Sequence, residues 1–396
     1  MNCYSDQEYK LRCFFLKKNK NLYLPAPKNR QMKITRTEIF KLTIPMEPFV
    51  IATETSYYTQ NIFIRIHTDT GLTGMGECSA FPMLVGETQN TCYEVAKDLA
   101  RILKDQDPLA IEDRMNDFHQ YIAFNSTVKS AFDIAMHDLA AKEAGVPLYK
   151  FLGGHIKPIQ TDLTIGIDSP ESMAATAIQF VDNGVQTIKV KLGKKYKEDV
   201  ERIRLIREAV GADIKLRIDA NQGWNYDEAL YVLTNIAPFD IQFCEQPMRH
   251  WNDHLLPQLR KLSPIKIMAD ESVFDHHDAI RLIEAGACDY INIKLAKSGG
   301  ILEAIKIADE AQKRNTPCML GGMVESRLAL TAKVHLALSH DNIQFYDLDT
   351  CLLGHKLDPV VGGAHYNNYF LEVPGGAGID ADIDPAFLNQ MEKTEV

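Results

Sequence analysis

The sequence has no run of 18 apolar residues, and its N-terminus lacks the apolar stretch of a signal peptide, so nothing in it is written for a membrane. It also lacks a CxxC pair. Its eight cysteines, at positions 3, 13, 78, 92, 244, 288, 318 and 351, are scattered; a chain this long needs no disulfide staples, and the pattern points to reduced thiols and a cytoplasmic address. Positive charge is in deficit as well. Lys and Arg number 43 against 53 for Asp and Glu, a net charge of -10, and that sign repels a phosphate backbone, which argues against a nucleic-acid partner. What is present is a globular composition, 45% hydrophobic and 24% charged over 396 residues. That is enough chain for two domains, or for a barrel-sized domain with an appendage.

Residues 1–31 carry seven basic residues against Asp6 and Glu8, a net of +5 that leaves -15 for the rest. They read as a leader, a misassigned start or a disordered tail. An α+β cap is expected over 32–154, with strands at 35–44 and 62–68, a glycine-bearing turn at 71–77 and helices at 90–103, 111–118 and 127–144. After Gly154 short β-branched runs alternate with amphipathic stretches, with onsets at Gln160, Thr187, Lys215, Asp240, Lys266, Tyr290, Cys318 and Gln344. A strand, a helix and two turns fill that spacing, so the fold class is α/β: a (β/α)8-type barrel over 155–366, with residues 367–396 returning to the cap. No glycine-rich fingerprint follows the first of these strands, which argues against a doubly wound fold.

Active sites of parallel barrels lie at the C-terminal ends of the strands. Charged residues at those ends are Lys189 and Lys191, Asp219, Glu245, Asp270, Lys294, and Asp347 with Asp349. Lys189 and Lys191 share a face because strand side chains alternate. Asp219, Glu245 and Asp270 end three successive strands, and three carboxylates converging on one point repel unless a cation compensates them. An oxygen-only set favours Mg²⁺ over Zn²⁺. Unrelated carboxylates salt-bridged to the lysines are the alternative. With Lys191 and Lys294 on opposite sides of such an ion, one amine can remove an α-proton and the other return it, which implies racemisation or epimerisation through an enolate. Lys189 would tune Lys191 by like-charge repulsion.

These residues carry a resemblance. Lys189-Val190-Lys191, Asp219-Ala220-Asn221-Gln222, Glu245-Gln246-Pro247, Ala269-Asp270-Glu271-Ser272, Asn292-Ile293-Lys294 and the run from Ala131 to Gly154 resemble the muconate-lactonizing subgroup of the enolase superfamily, over nearly all of the chain from Met32. The resemblance implies Asp219, Glu245 and Asp270 as Mg²⁺ ligands, Lys191 and Lys294 as the acid/base pair and Lys189 as the tuning lysine. Asp347-Leu348-Asp349 resembles the signature of the dipeptide epimerases, in which two carboxylates on one face can hold a free α-ammonium; helix capping by Asp347 or Asp349 is the alternative.

In similar members that act on Ala-Glu a cap-loop arginine faces the substrate carboxylate, and Glu54 stands at the matching position here. That implies an uncharged or hydrophobic C-terminal residue in the substrate, as in Ala-Ala or Ala-Val, or no role at all for Glu54. A homo-oligomer and a place in cell-wall peptide metabolism are further implied. The rival readings are a muconate-type cycloisomerase, an o-succinylbenzoate synthase or an N-acylamino acid racemase of the same subgroup, and, from another class, a non-catalytic barrel used for binding.

Overall fold

The computed structural model describes residues 32–396; the reading of 1–31 falls outside the described residues. The cap is built on a four-stranded antiparallel sheet. Its strands are β1 (Ile34–Leu42), β4 (Asn61–Thr68) and β5 (Thr73–Ser79), with a separate hairpin, β2 (Pro45–Val50) and β3 (Thr55–Tyr58), between the first two. The chain's last strand, Lys393–Glu395, pairs with β1, for instance Ile39 with Thr394. Ile62, Phe63, Ile64 and Ile66 of β4 are all buried; helices Gln89–Leu103 and Ser126–Glu143 pack on this strand, and Ile111–Tyr121 packs on those two helices.

The sequence reading took 71–77 as a turn, but from Thr73 onward it is strand, registered against β4 from His67–Thr73 to Asn61–Ser79. Its glycines serve a close approach. A Cβ on Gly74 would stand 2.2 Å from the Ala135 carbonyl oxygen, and one on Gly76 1.9 Å from that of Ala131, so the helix Ser126–Glu143 lies directly on the backbone of β5.

The barrel strands are β6 (Leu163–Ile165), β7 (Thr187–Lys191), β8 (Lys215–Asp219), β9 (Ile241–Glu245), β10 (Ile267–Ala269), β11 (Tyr290–Ile293), β12 (Cys318–Gly321) and β13 (Ile343–Asp347). They form one parallel sheet in sequence order. Across the seam between β6 and β13, the Asp162 N–H donates to the Tyr346 carbonyl at 3.3 Å and the Leu348 N–H to Thr161 Oγ1 at 2.8 Å. Outer helices start where short polar side chains can accept the first free amides: Ser169 from Ser172, Asn225 from Glu228, Asp275 from Asp278. Beneath the strand ends the interior is filled by Phe243, Met268 and Met319 with Tyr290 and Phe345. No helix among the described residues is long and apolar enough to cross a membrane.

Candidate active site

Period-two alternation on β7 sends Ile188 and Val190 toward the helices and Lys189 and Lys191 into the barrel. All are buried. Lys189 Nζ lies 2.7 Å from Glu245, 2.7 Å from Asp347 and 3.1 Å from Asp219, while Lys191 Nζ donates to Asp219 at 2.7 Å. Lys294, directly after β11, stands 2.8 Å from Asp270. Four steps of the eight-strand order separate β7 from β11, so the two terminal amines approach the mouth from opposite sides. Burial disfavours the Lys294 ammonium, but the charges of Asp270 and Glu245 outweigh it and hold its pKa above the ordinary lysine value.

Asp219, Glu245 and Asp270 are fully buried and only partly satisfied. Glu245 Oε1 accepts from Asn292 Nδ2 at 2.7 Å, yet Glu245 Oε2 and Asp270 Oδ2 have only their lysine ion contacts and no hydrogen bond of proper geometry. Glu271 Oε2 and Asn221 Oδ1, in the same pocket, have no hydrogen-bond partner. Burial, reinforced by Asp219, pushes the Glu245 carboxyl up to about 8; burial and then Asp270 do the same to Glu271. At Asp219 and Asp270 burial acts the same way, but the neighbouring lysines prevail and hold both carboxyls below the ordinary value. Unmet carboxylate and amide oxygens, in a site free of thiol and imidazole, fit a hard divalent cation. Backbone strain gathers here as well. Asn221 and Gln222 follow Asp219 at φ 41° and 66°, and Gln246 follows Glu245 at φ 32°, left-handed values that cost non-glycine residues free energy and recur at functional sites.

Two neighbours escaped the sequence reading. Lys297, buried on the short helical turn Leu295–Ser298, reaches Asp270 Oδ1 at 2.5 Å, and nothing in its spacing marks it as a site residue. Glu271 was visible only as the neighbour of Asp270.

Asp347 and Asp349 are both buried, and no side-chain cap is made by Asp349 at the 3-10 turn Thr350–Leu352 that follows. Instead Asp349 Oδ2 accepts the Thr164 N–H at 2.7 Å and Asp347 Oδ2 accepts from Lys189 at 2.7 Å. A third acid joins them. Asp162, just before β6, brings one oxygen within 4.8 Å of one from each of the pair. Burial, then the charge of Asp347, pushes Asp162 up to about 8 and Asp349 up to about 7. At Asp347 burial acts the same way, but Lys189 and Lys191 prevail and hold its carboxyl down at about 2.

Above the lysines lies a cavity whose floor includes Lys191, Lys294, Asn221, Gln222 and Glu271. Its walls are apolar: Phe49 and Ile51 from the β2–β3 hairpin, Phe81, Met83 and Leu84 from the cap, and Met323 and Val324 after β12. Thr53 lines it too, whereas Glu54, half-buried in the same turn with its carboxyl pKa raised by burial, is not among the lining residues. Nor are Asp347 and Asp349.

Comparison with known proteins places the chain. Residues 34–153 match the mandelate racemase / muconate lactonizing enzyme N-terminal domain, and residues 172–387 match the enolase C-terminal domain-like model. The chain is similar to a D-Ala-D/L-Ala epimerase of Cytophaga hutchinsonii, 45% identical over 91% of this chain and 99% of that protein. It is also similar to an L-Ala-D/L-Glu epimerase of Clostridium acetobutylicum, 39% identical over 83% of this chain and 92% of that one. Among solved structures, a dipeptide epimerase from Cytophaga hutchinsonii complexed with Mg and D-Ala-L-Val superposes with a TM-score of 0.90, 44% identity, over 92% of this chain and 100% of that one.

Proposed function

The chain belongs to the mandelate racemase and muconate lactonizing enzyme family of the enolase superfamily, and from that premise we propose that it is a Mg²⁺-dependent dipeptide epimerase acting on an uncharged or hydrophobic C-terminal residue. The carrying observation is the pair of buried lysines on opposite sides of a carboxylate-rich mouth, with Asp347 joined to it through Lys189 and Asp349 next to Asp347. Asp219, Glu245 and Asp270 would hold the ion, with Glu271 and Asn221 beside it. Bound there, it would grip the substrate carboxylate and favour the negative charge of the enolate.

The rest is done by the chain's own residues. Lys191 takes the α-proton on one face and Lys294 delivers a proton on the other, so the centre inverts; in the reverse direction the roles exchange. Lys189, held by Glu245, Asp219 and Asp347, stays charged, its pKa raised by those acids against the cost of burial, and repels positive charge on Lys191. Asp347 and Asp349 hold the α-ammonium, the feature an N-acylamino acid racemase has no use for. The apolar walls select the side chain: a carboxylate placed among Phe49, Ile51, Phe81 and Met83 loses water without gaining a cation. Glu54, next to Thr53 in the wall, adds negative charge on that side.

Six free cysteines among the described residues, five of them buried, support a cytoplasmic location, where recycling of cell-wall peptides would supply such substrates. The test is incubation with a dipeptide library in deuterium oxide, reading by mass which α-protons exchange. Exchange at Ala-Ala, Ala-Val or Ala-Leu well above Ala-Glu is the expected result; a preference for Ala-Glu would overturn the specificity, and exchange of N-acetyl dipeptides equal to that of free ones would overturn the dipeptide assignment.

A further inference from the structure

We propose that Asp162 is a third carboxylate of the ammonium site, so that the amino end of the dipeptide is held by Asp162, Asp347 and Asp349 together; this rests on the dipeptide reading above. One oxygen from each of the three lies within 4.8 Å of the others. A primary ammonium offers three N–H donors at tetrahedral angles, and acceptors at about 2.8 Å along them stand roughly 4.6 Å apart. Three oxygens within that reach of one another can serve one –NH3⁺ group together.

Partnering points the same way. Each acid is anchored through one oxygen: Asp349 by the Thr164 N–H at 2.7 Å, Asp347 by Lys189 at 2.7 Å, and Asp162 by Arg217 Nη1 at 2.8 Å. The other oxygen of Asp162, Oδ1, is buried with no hydrogen-bond partner, a condition that native structures rarely leave unmet. Arg217 cannot turn to satisfy it. Its Nε is committed to Gln242 at 2.8 Å and its guanidinium lies 5.3 Å from the ring centroids of both Phe243 and Phe345, a packed and cation-π-stabilised position. Of the two cationic side chains these acids meet, Arg217 faces Asp162 alone, while Lys189 is shared with Glu245 and Asp219, so the three acids are left short of positive charge. An ammonium placed there would supply both positive charge and the donor that Asp162 Oδ1 lacks. Asp162 sits two residues before Thr164, on the same face of the first barrel strand.

The experiment compares L-Ala-L-Leu with N-propionyl-L-leucine, which is that dipeptide without its amino group, by α-proton exchange in deuterium oxide. In Asp162→Asn, where the amide oxygen can still accept from Arg217, the ratio of kcat/KM for the free over the propionyl substrate should fall roughly ten- to a hundred-fold, mainly through KM. Asp162→Glu keeps the charge but displaces it by a methylene, so it should lower the same ratio and carries the test if the Asn variant does not fold. Equal losses on both substrates would make Asp162 merely structural and overturn the proposal. So would an unchanged ratio alongside a lowered one in Asp347→Asn, a result that leaves the dipeptide reading standing. If the wild type itself does not prefer the free dipeptide, the functional reading fails first.

Discussion

Buried carboxylates occur in two regions of this molecule, and they are treated differently. In the seam between cap and barrel each is met by donors. Glu77 of β5 accepts from Asn61 Nδ2, the Ser326 N–H and hydroxyl and the Ala329 N–H, at 2.5 to 3.1 Å. Asp133 takes the Ile301 N–H at 2.5 Å, and Asp138 takes the Met75 and Ile379 amides at 2.9 and 2.8 Å with Lys142 at 2.6 Å. Several of these amides open helices, where unpaired N–H groups favour an acid. At the barrel mouth the acids face lysines and one another, and Glu245, Asp270, Glu271 and Asp162 each keep an oxygen without a hydrogen bond. Burial of a carboxylate therefore does not mark function; an unmet oxygen beside a movable charge does.

The sharpest way to break that contrast is to neutralise acids in both regions. Asp219→Asn, Glu245→Gln and Asp270→Asn should each lower kcat/KM by about a thousand-fold or more while the chain stays folded, and exhaustive chelation should do the same reversibly, with recovery on adding Mg²⁺ or Mn²⁺. Full turnover after chelation would refute the cation site. Next in size, Lys191→Ala and Lys294→Ala should each reduce epimerisation by about 10² to 10⁴-fold. One should retain deuterium exchange into one epimer and the other into the opposite epimer; epimerisation at the wild-type rate in either would refute the two-base arrangement.

The mouth was legible in the sequence because strand period and barrel topology force residues at matched strand ends together. Lys189, Lys191, Asp219, Glu245, Asp270 and Lys294 need no knowledge of the loops. The seam was not legible. Gly74 and Gly76 carry a turn signature, and only the helix lying on them, with Ala131 and Ala135 against their backbone, explains why they are glycine in a strand. Asp162 was hidden for a related reason: its meaning comes from Arg217 and Asp349, 55 and 187 residues away in the chain. Lys297 and Glu271 become site residues only through side-chain direction, which no pattern of spacing fixes.

Smaller effects sharpen the contrast from each side. At the mouth, Asp347→Asn and Asp349→Asn should cost about 1 to 3 kcal/mol in kcat/KM for free dipeptides with little change in urea midpoint. In the seam, Asp133→Ala strips the N-terminus of helix Ile301–Lys313 of its acceptor and should cost about 2 kcal/mol of stability, while kcat of the folded enzyme is retained. A reversal, with Asp133→Ala inactive but stable, would erase the distinction.

The smallest effect concerns His335, which the seam holds without charge. The Tyr149 N–H donates to His335 Nδ1 at 3.1 Å and the ring stacks on Tyr149 at 5.8 Å between centroids. Burial lowers its pKa from 6.5 to about 4, so the unfolded chain takes up this proton first. The stability it contributes is whole above pH 6.5 and is lost as the pH falls through 4. By pH 5 the loss is about 2 kcal/mol. Glu77 works in the opposite direction: burial raises its carboxyl from 4.5 to about 7, so its contribution is whole below 4.5 and fades as the pH rises through 7. Only a difference between chains isolates the imidazole. His335→Gln keeps an acceptor for Tyr149 and has no proton to gain, so between pH 8 and pH 5 the wild type should lose about 2 kcal/mol more than the variant in urea unfolding. Equal losses would mean that the ring is protonated within the fold, and that the seam, like the mouth, tolerates an unpaired charge.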